Sequence, residues 1–179
     1  VFSAFFQSDS VPLPLISLLH FVSESCILGL ENSNFLKYDS ERKLIMYCTR
    51  NISDSVTWVG GTDRRLALFE NLFPIPRGVS YNSYLITDDK TALIDTVDSS
   101  ITRQFLENVE HTLNGRELDY LVVNHMEPDH CANIEELVYR YPQVKIVASA
   151  KAIQMIRQFY AFDLGDRPMA VKEGDSLCL

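Results

Sequence analysis

The chain has 179 residues, of which 46% are hydrophobic and 22% charged, which excludes a disordered or low-complexity protein and predicts one domain with a buried core. Its formal net charge of −8 argues against nucleic acid and anionic membranes as main partners. The four cysteines have no regular spacing, so we expect a reducing compartment, the cytoplasm, rather than a disulfide-bonded secreted protein.

Residues 1–45 differ in pattern from the rest of the chain. The apolar stretch 11–30 is interrupted by Pro12, Pro14 and Glu24, and no basic residue precedes it, so it matches neither a secretion signal nor a membrane span. The first methionine is Met46. We therefore hypothesise that translation begins there and that residues 1–45 are upstream reading frame. A genuine extension, or the tail of a preceding domain, is the alternative.

The first half of the remaining chain is rich in predicted strands. Four short strands are predicted at 56–59, 66–69, 80–87 and 91–95, the first because it combines β-branched and aromatic residues. The last two flank Asp88 and Asp89 and predict a hairpin. Residues 60–63 are expected to form a turn, and residues 73–78 a rigid loop.

The second half predicts alternating helices and strands. Apolar residues recur at every fourth position from Ile101 to Leu113, which predicts a helix capped by Ser99 or Ser100 and ended by Asn114 and Gly115. Buried strands are predicted at 120–123 and 144–148, further helices at 132–141 and 151–160, and strands at 169–171 and from 177. The pattern indicates an α/β chain with a mixed sheet. Because the chain stops within a predicted strand, we expect a fragment.

Four potential metal ligands follow the buried strand within six residues: His125, Glu127, Asp129 and His130. Residues two apart in an extended segment share a side, so we expect His125, Glu127 and Asp129 to point the same way. Pro128 should delay the next helix, where His130 joins the group. The mixed donor set fits iron, manganese or zinc, and four donors can serve two adjacent metals. A single such residue in a loop is usually solvated, but four together favour a metal site.

Two further residues have more than one interpretation. Asp95 ends a predicted strand, where it either orients a metal ligand or serves as an ordinary turn or capping acid. Cys131 is either a thiolate ligand or, as we favour, a small buried residue at a helix start.

The segment His-x-Glu-x-Asp-His after a buried strand resembles the signature of the metallo-β-lactamase superfamily, and Glu127 at its second position resembles the flavodiiron proteins. Stretches 68–70, 74–85 and 93–97 agree, so the resemblance covers residues 46–179. It implies an α/β fold, a partial metallo-β-lactamase-like αββα sandwich with a mixed β-sheet, as the N-terminal part of a di-iron domain. By motif position, His125 and Glu127 would bind one of two non-haem irons and Asp129 the other. His130 would approach the second iron with variable coordination, and these four residues would form the catalytic centre.

The resemblance also implies a reaction and its partners. Members of the family reduce O₂ to water, NO to N₂O, or both, with electrons from FMN on a flavodoxin-like domain fused downstream. Rubredoxin or a similar carrier reduces that flavin, and a head-to-tail homodimer brings it close to the irons. No histidine follows His130 here and no flavodoxin-like stretch is present, so we expect the 179 residues alone to be inactive.

Three alternatives remain open from the sequence. The domain would serve as an oxygen-binding di-iron sensor if no flavin domain accompanies it. A zinc-dependent hydrolase of the same superfamily is a further alternative, although Glu127 in place of histidine argues against it. The last is a truncation without function.

Overall fold

A computed structural model describes residues 47–69 and 71–179 in full. Before them it describes only the backbone of three short strands, β1 (Phe5–Phe6), β2 (Lys37–Tyr38) and β3 (Leu44–Ile45). β2 pairs antiparallel with β3. The other predictions for residues 1–45, including a translation start at Met46, fall outside the described residues and stay predictions.

A seven-stranded mixed sheet organises the described domain. The remaining strands in chain order are β4 (Arg50–Asn51), β5 (Val56–Trp58), β6 (Gly61–Asp63), β7 (Leu68–Phe69), β8 (Phe73–Pro74), β9 (Val79–Tyr81), β10 (Tyr84–Thr87), β11 (Thr91–Ile94), β12 (Tyr120–Val123), β13 (Lys145–Ala148), β14 (Pro168–Ala170) and β15 (Ser176–Leu177). The sheet order is β14-β13-β12-β11-β10-β5-β4, parallel from β11 to β14 and antiparallel from β11 through β10 and β5 to β4. β15 lies outside this sheet and pairs with β1.

Four helices connect the parallel strands. They are α1 (Thr102–Leu113), preceded by a 3-10 turn at Ser99–Ile101, α2 (Pro128–Cys131), α3 (Ile134–Arg140) and α4 (Ala150–Phe159). The predicted apolar face of α1 is confirmed, because Phe105, Val109 and Leu113 are all buried in the core beside the sheet. Within the described part of the chain, no helix combines the length and apolar character needed to cross a bilayer.

The parallel half matches its prediction closely, and the predicted end of α1 is confirmed by Asn114 in the left-handed conformation. The predicted cap was wrong. Asp98, not a serine, caps the 3-10 turn that precedes α1, and its carboxylate accepts a hydrogen bond from the Ser100 amide at 2.8 Å. Aspartate competes well with serine at such positions because it also adds a favourable charge.

The strand-rich half departs further from its prediction. Residues 60–63 are not a turn, because β6 pairs with β9 in a separate two-stranded sheet. The single strand predicted at 80–87 is divided between β9 and β10. The division falls at Ser83, whose carbonyl accepts the Val59 amide and whose hydroxyl donates to the Asp95 carbonyl. The predicted loop at 73–78 begins with β8, which pairs with β7. The predicted α/β class with a mixed sheet is nevertheless confirmed.

Candidate metal centre

The ligand segment begins where β12 ends, at the carboxyl edge of the parallel strands, which is where open α/β sheets usually hold their sites. Glu127 is extended, and Pro128 is the first residue of α2. Proline favours this position because its fixed φ suits a first helical turn. Asp129 and His130 therefore lie on a helix, so the predicted extended geometry holds only as far as Glu127.

The structure brings the four predicted ligands together as two adjacent pairs. His125 Nε2 lies 3.0 Å from Glu127 Oε1, and His130 Nε2 lies 3.6 Å from Asp129 Oδ2. The two histidine rings are perpendicular, with their centroids 5.5 Å apart. In the described residues, however, no three His, Cys, Asp or Glu side chains are arranged around a single ion position. Proximity is thus established, while coordination by these four residues stays a prediction.

The two pairs differ in exposure. His125 and Glu127 are more than half exposed, and His125 lowers the pKa of Glu127 chiefly through their hydrogen bond. Asp129 is mostly buried and His130 about two-thirds buried. The two carboxylates lie on the same edge of the sheet, where negative charge attracts a cation.

Asp95 lies directly beside His130. Its Oδ2 is 3.3 Å from His130 Nδ1, and its Oδ1 accepts the Asn124 amide at 2.7 Å. The residue is buried and has a left-handed φ of 55°, an uncommon conformation for aspartate that the surrounding contacts must maintain. The contact with His130 is what a ligand-orienting residue would make, and the bond from Asn124 is what an ordinary turn acid would make, so both interpretations of Asp95 stay predictions.

The groups around the two ring nitrogens of His130 show whether the donor set suits a metal. Its buried Nδ1 has no well-aligned hydrogen bond in the described structure, and the Asp95 carboxylate is at ion-pair distance only. That carboxylate raises the pKa of His130, while burial opposes the increase. A carboxylate behind one imidazole nitrogen is the usual support for a histidine that binds metal through the other. Nε2 faces Asp129, so the chemistry of these donors fits a metal ion, while their coordination of one stays a prediction.

Cys131 adjoins the motif but is not suited to be a ligand. Its thiol is buried and lies 3.4 Å from the Met126 carbonyl, and burial raises its pKa, which disfavours the thiolate. The Tyr160 hydroxyl also donates to the Cys131 carbonyl. The interpretation of Cys131 as a small buried residue agrees with these contacts.

Sequence reasoning missed two residues at this site, Thr96 and Asn133. Both are fully buried; Thr96 binds the His130 carbonyl, and Asn133 binds the Thr96 hydroxyl. The only signal in the sequence is their position, one beside Asp95 and the other three residues after His130.

Comparisons with known proteins identify relatives of this domain. The model of a family described as "ODP family beta lactamase" matches residues 79–177, more than half of the chain. The anaerobic nitric oxide reductase flavorubredoxin of Aliivibrio fischeri is 39% identical over 109 residues, which are 60% of this chain and 22% of that protein. Its counterpart in Klebsiella pneumoniae is 39% identical over 106 residues, 59% of this chain and 22% of that protein.

The fold of this chain is also similar to those of solved flavodiiron protein structures. The flavodiiron protein from Giardia intestinalis superposes with a TM-score of 0.66 at 23% identity, over 73% of this chain and 31% of that one. Rubredoxin oxygen:oxidoreductase from Desulfovibrio gigas gives 0.65 at 29% identity, over 72% of this chain and 32% of that one. These likenesses confirm the predicted partial metallo-β-lactamase-like fold. The chain spans about a fifth of the length of the curated relatives it matches.

Proposed function

Since the chain belongs to the ODP family of β-lactamase-like domains and its structural neighbours are flavodiiron proteins, we propose that it supplies part of the non-haem di-iron centre of an oxidoreductase. The substrates of the full-length protein would be O₂, NO or both. The domain itself would comprise residues 46–179, with residues 1–45 outside it.

The observation that supports this proposal is the pairing of the four donors beside Asp95. His125 and Glu127 would hold one iron, and Asp129 the other, with His130 near the second. A bound di-iron centre supplies the reduction of O₂ to water or of NO to N₂O. The carboxylates make the donor set more anionic than an all-histidine set, which favours iron over zinc.

Asp95 and Asn124 would orient His130 for metal binding. The Asp95 carboxylate beside Nδ1 favours the His130 tautomer that carries its proton on Nδ1, which leaves the Nε2 lone pair toward Asp129. The Asn124 amide holds Asp95 in turn. Both groups come from the carboxyl ends of adjacent parallel strands, β11 and β12, so the sheet fixes their separation.

Electron delivery would require groups outside these 179 residues. FMN would be bound by a flavodoxin-like domain, rubredoxin or a similar carrier would reduce it, and a head-to-tail homodimer would bring it near the irons. We propose a cytoplasmic location, with which the three described cysteines agree, because all three are free.

Metal analysis and gas consumption test the proposal together. Full-length protein prepared without oxygen should contain about two irons per chain, and should consume O₂ or NO when reduced flavin is supplied. His125→Ala should lose most of the iron and the activity, whereas His111→Ala, outside the ligand segment, should keep both. Zinc without iron would instead favour a hydrolase, and iron with oxygen binding but no turnover would favour a sensor.

A further inference from the structure

We propose that Thr96, supported by Asn133, is a positioning residue that fixes the second half of the metal site by binding the main chain of His130. The inference rests on the proposed function, because it assumes that Asp129 and His130 face a metal. It concerns a contact that joins the end of β11 to the middle of α2.

Thr96 binds a single carbonyl twice. Its amide donates to the His130 carbonyl at 2.7 Å, and its hydroxyl donates to the same oxygen at 3.0 Å. The residue is fully buried, so water does not compete for these bonds. The two residues are 34 positions apart, so this contact holds two distant segments in one register.

Asn133 fixes the orientation of the Thr96 hydroxyl. The Asn133 amide donates to Thr96 Oγ1 at 3.3 Å, while its side chain donates to the Val97 carbonyl and accepts from the Thr102 hydroxyl at 2.6 Å. The hydroxyl therefore both donates and accepts. Asn133 lies between α2 and α3, so this network ties the break between the two helices to the start of α1.

The position of this contact next to Asp95 gives it a role beyond stability. Asp95 contacts the ring of His130, and the next residue, Thr96, binds the carbonyl of the same histidine. Because α2 is only one turn long, it has little stability of its own to hold Asp129 and His130 in place. Adjacent residues after β11 thus hold both the main chain and the side chain of His130.

Thr91 provides a matched control at the other end of β11. It is also fully buried, its hydroxyl donates to the Glu117 carbonyl at 2.8 Å, and it accepts the Asp119 amide at 2.9 Å. Replacing either threonine by valine removes one buried hydroxyl that donates to a backbone carbonyl and accepts a backbone amide, and Thr91→Val also removes a 3.1 Å contact with the Asp119 carboxylate. Of the two substitutions, only the one at Thr96 removes a hydrogen bond to the ligand segment.

The test uses Co²⁺ as an oxygen-stable probe in the full chain, with Thr96→Val, Thr96→Ser and Thr91→Val. Equilibrium dialysis gives the affinity, the visible spectrum of bound Co²⁺ reports ligand geometry, and thermal unfolding without metal gives stability. Thr96→Val should weaken Co²⁺ binding roughly tenfold or more and change the spectrum. Thr96→Ser keeps the hydroxyl and should keep the wild-type affinity and spectrum. Thr91→Val should lose about as much stability as Thr96→Val but bind Co²⁺ like wild type.

Equal affinity and spectra for the two valine variants would overturn the inference and leave the proposed function intact. Absence of Co²⁺ binding by wild type and Thr91→Val alike would overturn both. If Thr96→Val does not fold, Thr96→Ala removes the same hydroxyl without a second methyl group, and the same outcomes apply to it.

Discussion

Asn108 connects the first fully described residues of the domain to its core. It is fully buried on α1. Its Oδ1 accepts the Cys48 amide at 3.0 Å, and its Nδ2 donates to the carbonyls of Cys48, Val59 and Gly60 at 3.2, 3.1 and 3.0 Å. One side chain thus satisfies backbone groups of two segments that lie about 50 to 60 residues earlier.

Replacing Asn108 by leucine should destabilise the domain by about 2–4 kcal/mol. Val59 and Gly60 are buried, so their carbonyls lose a partner that water cannot replace, at about 1–3 kcal/mol each. Cys48 is exposed, so its amide and carbonyl can be hydrated and add little. The two carbonyls together lose about 2–6 kcal/mol, and the apolar leucine side chain recovers part of this, which places the expected value in the lower half of that range.

Urea unfolding followed by circular dichroism measures this difference. Glu107→Gln is the matched control on the same helix, because Glu107 is 44% exposed and, among the described residues, pairs only with Arg103 at 3.8 Å on the surface, which is worth about 0.5 kcal/mol or less. Asn108→Asp, which keeps the acceptor for Cys48 but not the donor, should also be destabilised. If Asn108→Leu lost under about 1 kcal/mol, the assigned role of this hydrogen-bond network would be refuted.

Three further predictions concern other parts of the domain. The Arg65 guanidinium, through its hydrogen bonds, holds the pKa of buried Asp63 well below its ordinary value, so the unfolded chain binds a proton more readily. The stabilisation by Asp63 is therefore complete above the unfolded pKa of about 3.9 and is lost as the pH falls below it. Asp63→Asn should lower stability at neutral pH but flatten the acid-side decline in urea titrations, and parallel pH profiles would contradict this. Gly78→Ala should cost about 2 kcal/mol or more, because φ is +79° and a Cβ there would overlap the Asp63 carbonyl. Gly115→Ala, at φ +86° with open space around it, should cost only about 1–2 kcal/mol in thermal unfolding, and equal losses would refute the steric argument. Glu127→His should shift the metal content of full-length protein from iron toward zinc, measured by elemental analysis against Glu127→Asp, which should still favour iron; an unchanged ratio would count against Glu127 as a ligand.

The sequence predicted the parallel half of the fold well. The buried strand at 120–123 is a continuous apolar run, the one at 144–148 is apolar except for Lys145, and α1 has an apolar residue at every fourth position, so the local pattern alone indicates their burial. The candidate ligands were also identified from local sequence, because four potential donors directly follow a buried strand. Their exact arrangement was not predicted, since Pro128 starts a one-turn helix rather than prolonging the extended segment.

Only the tertiary structure decided the short strands and the support of the site. Strands of two or three residues, such as β6 and β9, have too few side chains to show a period, and their pairing depends on a partner elsewhere in the chain. The contacts of His130 with Asp95 and Thr96 likewise cross more than 30 residues. Local sequence encodes which residues are apolar, but a buried polar group is satisfied by whatever partner the folded chain brings within hydrogen-bond distance.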